Sequence, residues 1–262
     1  MEKLYSRMSL IMALMIGATA FVACSSDDDD DEAPQGGGGE TTSKRIAKIT
    51  FEIDDESSIT TFEYDSQGRV VKKNETYGYN GNYNSTTTYT YGENTITSYG
   101  DDNIVCTYTL SNGLVTKWVE EYKSDYYPYS YTYDCTYDSN GHIITLQGTD
   151  NEDFTWTWTD GNLTKLSKKG SYSFTISYSN ISWPQNWMHY WKGTNIDRVL
   201  EPLGAWGKMP KNLPTKFVRV YDNGKTNGWT IDYTIENGDI TKAIFQDLDG
   251  ANSPEIYTFE WE

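Results

Sequence analysis

Five stretches of this chain repeat one pattern: an alternating strand, a tight turn carrying a glycine, and a second alternating strand. Phe62–Val71 reads Phe-Glu-Tyr-Asp-Ser-Gln-Gly-Arg-Val-Val, and Cys106–Val115, Cys135–Ile144, Trp156–Leu163 and Ile231–Ile240 follow the same scheme. Glycine accepts the positive φ that such turns require, so a Gly between two period-two runs signals a hairpin for a physical reason. The period excludes an amphipathic helix, whose apolar positions recur every three to four residues.

The alternation also assigns faces. Tyr129, Tyr131, Tyr133, Cys135 and Tyr137 share one side of a strand, as do Tyr172, Phe174, Ile176 and Tyr178, and near the end Trp229, Ile231, Tyr233 and Ile235. Large side chains placed this way pair across strands, each pair stabilising by about 0.2–1 kcal/mol. The pattern extends to roughly 14–16 strands, and twisted open sheets rarely exceed about ten without curling. The expected fold is therefore all-β: a large antiparallel meander of hairpins curled into an open or incompletely closed barrel.

One segment interrupts the rhythm. Residues 183–213 lack alternation; Ile196, Val199, Leu200 and Leu203 recur at helical spacing, with Asn195 placed to cap the start and Gly204 to end it. Pro202 disfavours a long helix. A short helical insert around 184–207 is expected, covering the mouth of the rolled sheet and tied down by Trp187, Tyr190, Trp191 and Trp206.

The N-terminus carries an address. Lys3 and Arg7 precede an apolar run from Leu10 to Ala23, and Cys24 follows the small residue. That order is a secretory signal, and the Cys after it resembles a bacterial lipoprotein signal, in which the thiol is acylated and becomes the first residue. A run of about 14 apolar residues falls short of the roughly 20 that span a bilayer. The expected division is a signal peptide over 1–23, a lipidated tether over 24–44 and one β domain over 45–262. The tether's Asp27–Asp31, Glu32 and Gly36–Gly39 cannot build a core. Its acidic run resembles the export signal of Bacteroidota surface lipoproteins, which implies an outer-membrane lipid anchor facing the cell surface.

Within the folded part, the Phe62–Val71 unit resembles the tyrosine-aspartate repeat of Rhs-type proteins. The segment Trp206-Gly-Lys-Met-Pro-Lys-Asn-Leu-Pro-Thr215, taken with the lipoprotein signal and the Asn-Gly hairpins, is similar to an uncharacterised family of Bacteroidota lipoproteins described as having a porin-like β fold. The resemblance covers roughly 45–262. It implies fold and location and carries no activity.

No catalytic constellation is legible. His142 directly follows the Asp138–Gly141 turn and reads as an exposed hairpin position, and His189 reads as packed among aromatics. A general base with a nucleophile in its reach has no motif here. Asp247-Leu-Asp-Gly250 to Glu255 lacks the ligand spacing of a calcium loop. No metal, cofactor or catalytic residue is expected, and the chain reads as a non-enzyme. Cys106 and Cys135 occupy equivalent places in successive hairpins, two strands apart in a meander, farther than a disulfide reaches; both are expected as buried free thiols. A net charge of −17 disfavours nucleic acid and anionic membrane surfaces as partners. The expected function is a surface-anchored binding module for glycan or another extracellular ligand, with Trp187, Tyr190 and Trp191 as the candidate stacking residues, although packing that pins the insert to the sheet is the stronger local reading of the same aromatics. The alternative is a structural or adhesive protein contacting another protein. Membrane insertion of the sheet itself is disfavoured because many strands are only about 6–7 residues.

Overall fold

The computed structural model describes residues 44–78, 83–184 and 196–262. Sixteen strands follow in order: β1 Ile46–Ile53, β2 Glu56–Tyr64, β3 Val70–Tyr77, β4 Tyr83–Tyr91, β5 Thr95–Gly100, β6 Ile104–Ser111, β7 Leu114–Tyr122 and β8 Tyr129–Tyr137. The second half contains β9 Ile143–Gly148, β10 Phe154–Thr159, β11 Asn162–Lys168, β12 Tyr172–Ser182, β13 Asn212–Tyr221, β14 Thr226–Glu236, β15 Asp239–Asp247 and β16 Glu255–Trp261. Each pairs antiparallel with its sequence neighbours, and β1 pairs with β16, so the meander is a fully closed barrel. The expectation of an open or incompletely closed sheet is thus overturned. Closure leaves no row of unpaired strand-edge N–H and C=O groups. At the seam, Arg45 N donates to Glu262 O at 2.9 Å and Glu262 N to Arg45 O at 2.7 Å. Lys48 Nζ and Glu260 Oε1 pair across it at 2.6 Å.

The turns obey the backbone rule read from sequence. In Asn112-Gly113, Asp160-Gly161 and Asn237-Gly238 both residues hold positive φ, the type I′ geometry that suits the right-handed twist of flanking strands. Longer turns are fixed by an aspartate: Asp65 Oδ1 accepts from the N–H groups of Gln67 and Arg69, and Asp138 Oδ1 from those of Asn140 and His142, all at 2.9 Å.

These Gly turns gather at one end of the barrel, which is closed by a repeated clamp. Seven of the eight even-numbered strands carry a Tyr or Trp that donates to a backbone carbonyl of the preceding strand: Tyr64, Tyr91, Tyr137, Trp158, Tyr178, Tyr233 and Trp261, at 2.7–2.9 Å. Inside the clamps lies an aliphatic floor with one residue from each odd-numbered strand, including Ile46, Val70, Val115, Leu163, Leu213 and Ile240, all at 0% exposure. The exception to the clamp is β6, where Leu110 stands opposite Val115. There Val115 N donates instead to Ala205 O at 2.8 Å, so the β12–β13 insert enters where the clamp is missing. Tyr137→Phe is expected to cost about 1 kcal/mol, because the Val115 carbonyl loses its phenolic donor; the urea midpoint measures it, and an unchanged midpoint contradicts a structural role for the clamp.

The insert differs from its sequence reading. Among the described residues it contains no α-helix; Arg198–Leu200 form one 3₁₀ turn capped by Asp197 rather than Asn195, which lies outside them. Pro202 lacks the donor to continue a helix, and the Arg198–Glu201 pair at 2.8 Å uses the i,i+3 alignment of a 3₁₀ turn. Of the apolar residues at helical spacing, Ile196, Val199 and Leu200 are buried, as is Trp206, and Leu203 is half-buried. Trp206 packs edge-on against Trp118 and Tyr108, with centroids 5.3 and 6.0 Å apart, so the insert plugs the interior from the clamped end.

Outside, the strands present mainly polar residues to solvent: Thr155 and Thr157 on β10, Lys165 on β11, Thr175 and Ser177 on β12, Asp232 and Thr234 on β14, Thr258 and Glu260 on β16, with Ile59, Tyr99 and Val220 exposed singly among them. Ile235 is exposed rather than aligned with Trp229, Ile231 and Tyr233, because a bulge between Thr234 and Ile235 shifts the phase. Among the described residues no helix is long and apolar enough to cross a membrane.

Candidate functional site: a polar half-lumen under a tyrosine rim

The interior is divided. From β9 around to β1 the inward residues are mostly apolar, among them Leu146, Phe154, Leu166, Phe174, Trp229 and Phe245. From β2 to β7 the same face becomes polar. The register carries it from strand to strand: Thr60 opposes Glu75 and Glu75 opposes Ser85, Lys73 opposes Thr87, and Tyr89, Ser98, Cys106, Glu120 and Tyr131 follow one another across β4–β8. Ser58, Thr60, Lys73, Glu75 and Ser98 are buried, whereas the equally inward Ser85, Thr87, Cys106, Glu120 and Tyr131 are half-buried. Water therefore reaches this belt from the end opposite the clamps.

At its deepest point the belt meets the insert. Asp197 Oδ1 accepts from Val199 N at 3.1 Å and Oδ2 from Tyr108 Oη at 3.3 Å, while the Asp197 carbonyl accepts from Trp206 Nε1 at 2.8 Å. Burial holds the Asp197 carboxyl above the usual carboxylate range, opposed by the Lys73 charge, by Val199 N–H and by the Tyr89 and Tyr108 hydroxyls. The unfolded chain therefore releases this proton first, so stability present at acid pH is lost as pH rises toward the folded value. Asp197→Asn keeps its amide oxygen as acceptor for Val199 N–H and turns its NH2 to the Tyr108 hydroxyl, which accepts in place of donating. It is expected to raise the melting temperature near pH 7 and leave it unchanged near pH 3; a neutral-pH loss contradicts this sign.

Lys73 is 1% exposed, with Nζ 2.8 Å from Glu75 Oε2 but off the line of a hydrogen bond. Higher up, Glu120 Oε1 accepts from Tyr129 Oη at 3.2 Å. Burial pushes the Glu120 carboxyl up, with Asp150 and Asp102 adding to the shift and the Tyr129 hydrogen bond opposing it. Tyr129 stacks on Tyr122 and Tyr131 at 5.5 and 4.8 Å, and Tyr77 on Tyr83 at 5.9 Å, forming a rim above the polar half. Beside it the β7–β8 connection encloses a cleft of about 540 Å³ between Glu121–Asp125 and Pro128–Ser130. Its tip carries Tyr126 and Tyr127, 86% and 83% exposed. Over the apolar half, Arg219 lies 4.8 Å from the Tyr221 ring and 5.1 Å from the Trp229 ring, a cation–π cover.

Trp187, Tyr190, Trp191, His189 and Cys24 lie outside the described residues. His142 is 9% exposed rather than solvent-facing, stacked on Trp158 at 4.5 Å with Nδ1 3.0 Å from Asp138 Oδ2; the bridge to Gly207 of the insert covers it. Cys106 and Cys135 are free thiols, Cys135 buried and Cys106 half-buried; burial pushes both up to about 12. Among the described residues no group of three or more His, Cys, Asp or Glu side chains is arranged to hold a metal ion. Sequence reading missed Ser58, Lys73, Glu75 and Asp197. The available signal was the register itself: counting in twos from Phe62 places Thr60 and Ser58 inside.

The chain matches no protein-family model and none of the curated protein sequences compared with it. The solved structures that share its fold include two from Bacteroides. A porin-like protein from Bacteroides uniformis aligns over 83% of this chain and 96% of its own, at 16% identity and a TM-score of 0.64. A porin-like protein from Bacteroides vulgatus aligns over 84% of this chain and 99% of its own, at 14% identity and a TM-score of 0.59.

Proposed function

We propose that this chain is a β-barrel of the bacterial outer surface, lipid-tethered through Cys24, that binds glycan in the open half of its lumen and is not itself a pore. The polar belt beneath the tyrosine rim, inside a barrel otherwise packed with apolar side chains, carries this reading. Ligand sites combine aromatic walls with a few placed polar groups, and sugar rings offer an apolar face for stacking and hydroxyls for hydrogen bonding. The polar exterior argues against insertion: a membrane barrel turns its apolar residues outward and its polar ones inward, and here the exterior is mainly polar while half of the lumen is packed with apolar side chains. The lipoprotein signal and acidic tether support the address, and the likeness to two porin-like Bacteroides barrels supports the architecture.

A glycan array on the chain from Ser25 onward tests the reading, alongside Tyr122→Ala/Tyr131→Ala. The expected result is binding to one glycan class, weakened about tenfold or more in the rim variant. Binding lost instead in Trp187→Ala/Trp191→Ala moves the site to the insert. Binding to no glycan overturns the reading in favour of a protein-contacting role, for which the exposed Tyr126 and Tyr127 are the contact residues.

A further inference from the structure

Two polar groups in the open half of the lumen are buried without a hydrogen-bond partner. Lys73 Nζ reaches no acceptor in hydrogen-bonding geometry, and Ser58 Oγ, on a residue only 4% exposed, reaches none either. They sit on the inner faces of β2 and β3, where Phe62 opposes Lys73, Thr60 opposes Glu75 and Ser58 opposes Tyr77. Buried ammonium and hydroxyl groups are rarely left unbonded because each forfeits its solvation. Both donors therefore mark where oxygens of a bound molecule fit.

Resting on the glycan-binding reading above, we infer that Ser58, Lys73 and Glu75 recognise a neutral, hydroxyl-rich sugar unit and discriminate against anionic glycans. Lys73 and Glu75 stand side by side and carry no net charge between them. A sugar hydroxyl accepts from Nζ while donating to a Glu75 oxygen, and Ser58, one inward position farther along β2 than the Thr60 that opposes Glu75, offers its hydroxyl to a more distant oxygen of the same glycan. Thr60 and Ser98, both buried on the same belt, and the half-buried Ser85 and Thr87 extend the hydroxyl lining. A carboxylate or sulfate gains Lys73 but meets Glu75, Glu120 and Asp197 on the walls, with Lys73 the one cation of the belt among the described residues, inside a protein of net charge −17. Like charges brought together in a low-dielectric site repel strongly.

The experiment measures affinity for two probe sets by calorimetry. One is neutral (maltohexaose, mannohexaose and xylohexaose), and the other is anionic (hexagalacturonate and a heparin hexasaccharide). Binding is expected in the neutral set, with every anionic probe at least tenfold weaker. Ser58→Ala removes no hydrogen bond of the fold, and is expected to weaken neutral binding about two- to tenfold. Lys73→Met/Glu75→Met removes the ion pair as a unit and is expected to abolish binding with near-UV circular dichroism unchanged. If that double variant does not fold, Ser58→Ala decides alone. Tighter anionic binding, or neutral binding untouched in the variants, overturns the inference and leaves glycan binding standing. Binding to neither set, with no glycan bound on the array, overturns both.

Discussion

Trp206→Ala is expected to lower the unfolding free energy by about 3–5 kcal/mol, the range for emptying a buried tryptophan site. Trp206 is 2% exposed and its ring stands edge-on to both Trp118 and Tyr108. Its indole N–H also holds the Asp197 carbonyl at 2.8 Å, and the following Gly207 bridges to His142. Truncation therefore leaves a cavity in the plug and an unpaired Asp197 carbonyl, in the insert that occupies the place of the Tyr or Trp clamp missing from β6. For a domain of this size the melting temperature is expected to fall by roughly 10 °C. A fall below about 2 °C would show that the insert does not belong to the cooperative core.

Lys73→Met comes second in size. Removing one partner of a buried ion pair leaves the other charge uncompensated and costs about 3–5 kcal/mol. Here the orphan is Glu75, 9% exposed, and Asp197 loses the positive charge that offsets its burial. Replacing both members by apolar residues often costs little or is stabilising. Lys73→Met/Glu75→Met is accordingly expected to recover most of the loss in chemical denaturation. Equal loss in the single and double variants would mean that Lys73 acts through packing alone.

Much of the fold was legible because hairpin chemistry is local. Asn112-Gly113 and Asp160-Gly161 announce their own turns, and the residue just before the Asp65 and Asp138 turns is a clamp tyrosine, Tyr64 or Tyr137. Closure was not legible: it depends on β1 meeting β16, and nothing near Ile46 or Trp261 encodes a partner more than two hundred residues away. The insert shows the reverse case. Ile196, Val199 and Leu200 carry a helical spacing and are buried, yet Pro202 and the capping Asp197 cut the helix to one 3₁₀ turn. The polar half-lumen stayed hidden because Lys73 and Glu75 look like surface residues until register places them inside. His142 was misread because the surface covering it comes from the insert, 65 residues later in the chain at Gly207.

The polarity of the barrel, with a mainly polar exterior and half of the lumen packed with apolar side chains, is the claim on which the functional reading depends. Flotation of the chain from Ser25 onward with liposomes, after purification without detergent, tests it most directly. The account predicts that the barrel stays soluble, remains at the bottom of the gradient and releases no entrapped dye. A chain that demands detergent, floats with the lipid and makes the vesicles leak would be a membrane pore, and would contradict the account.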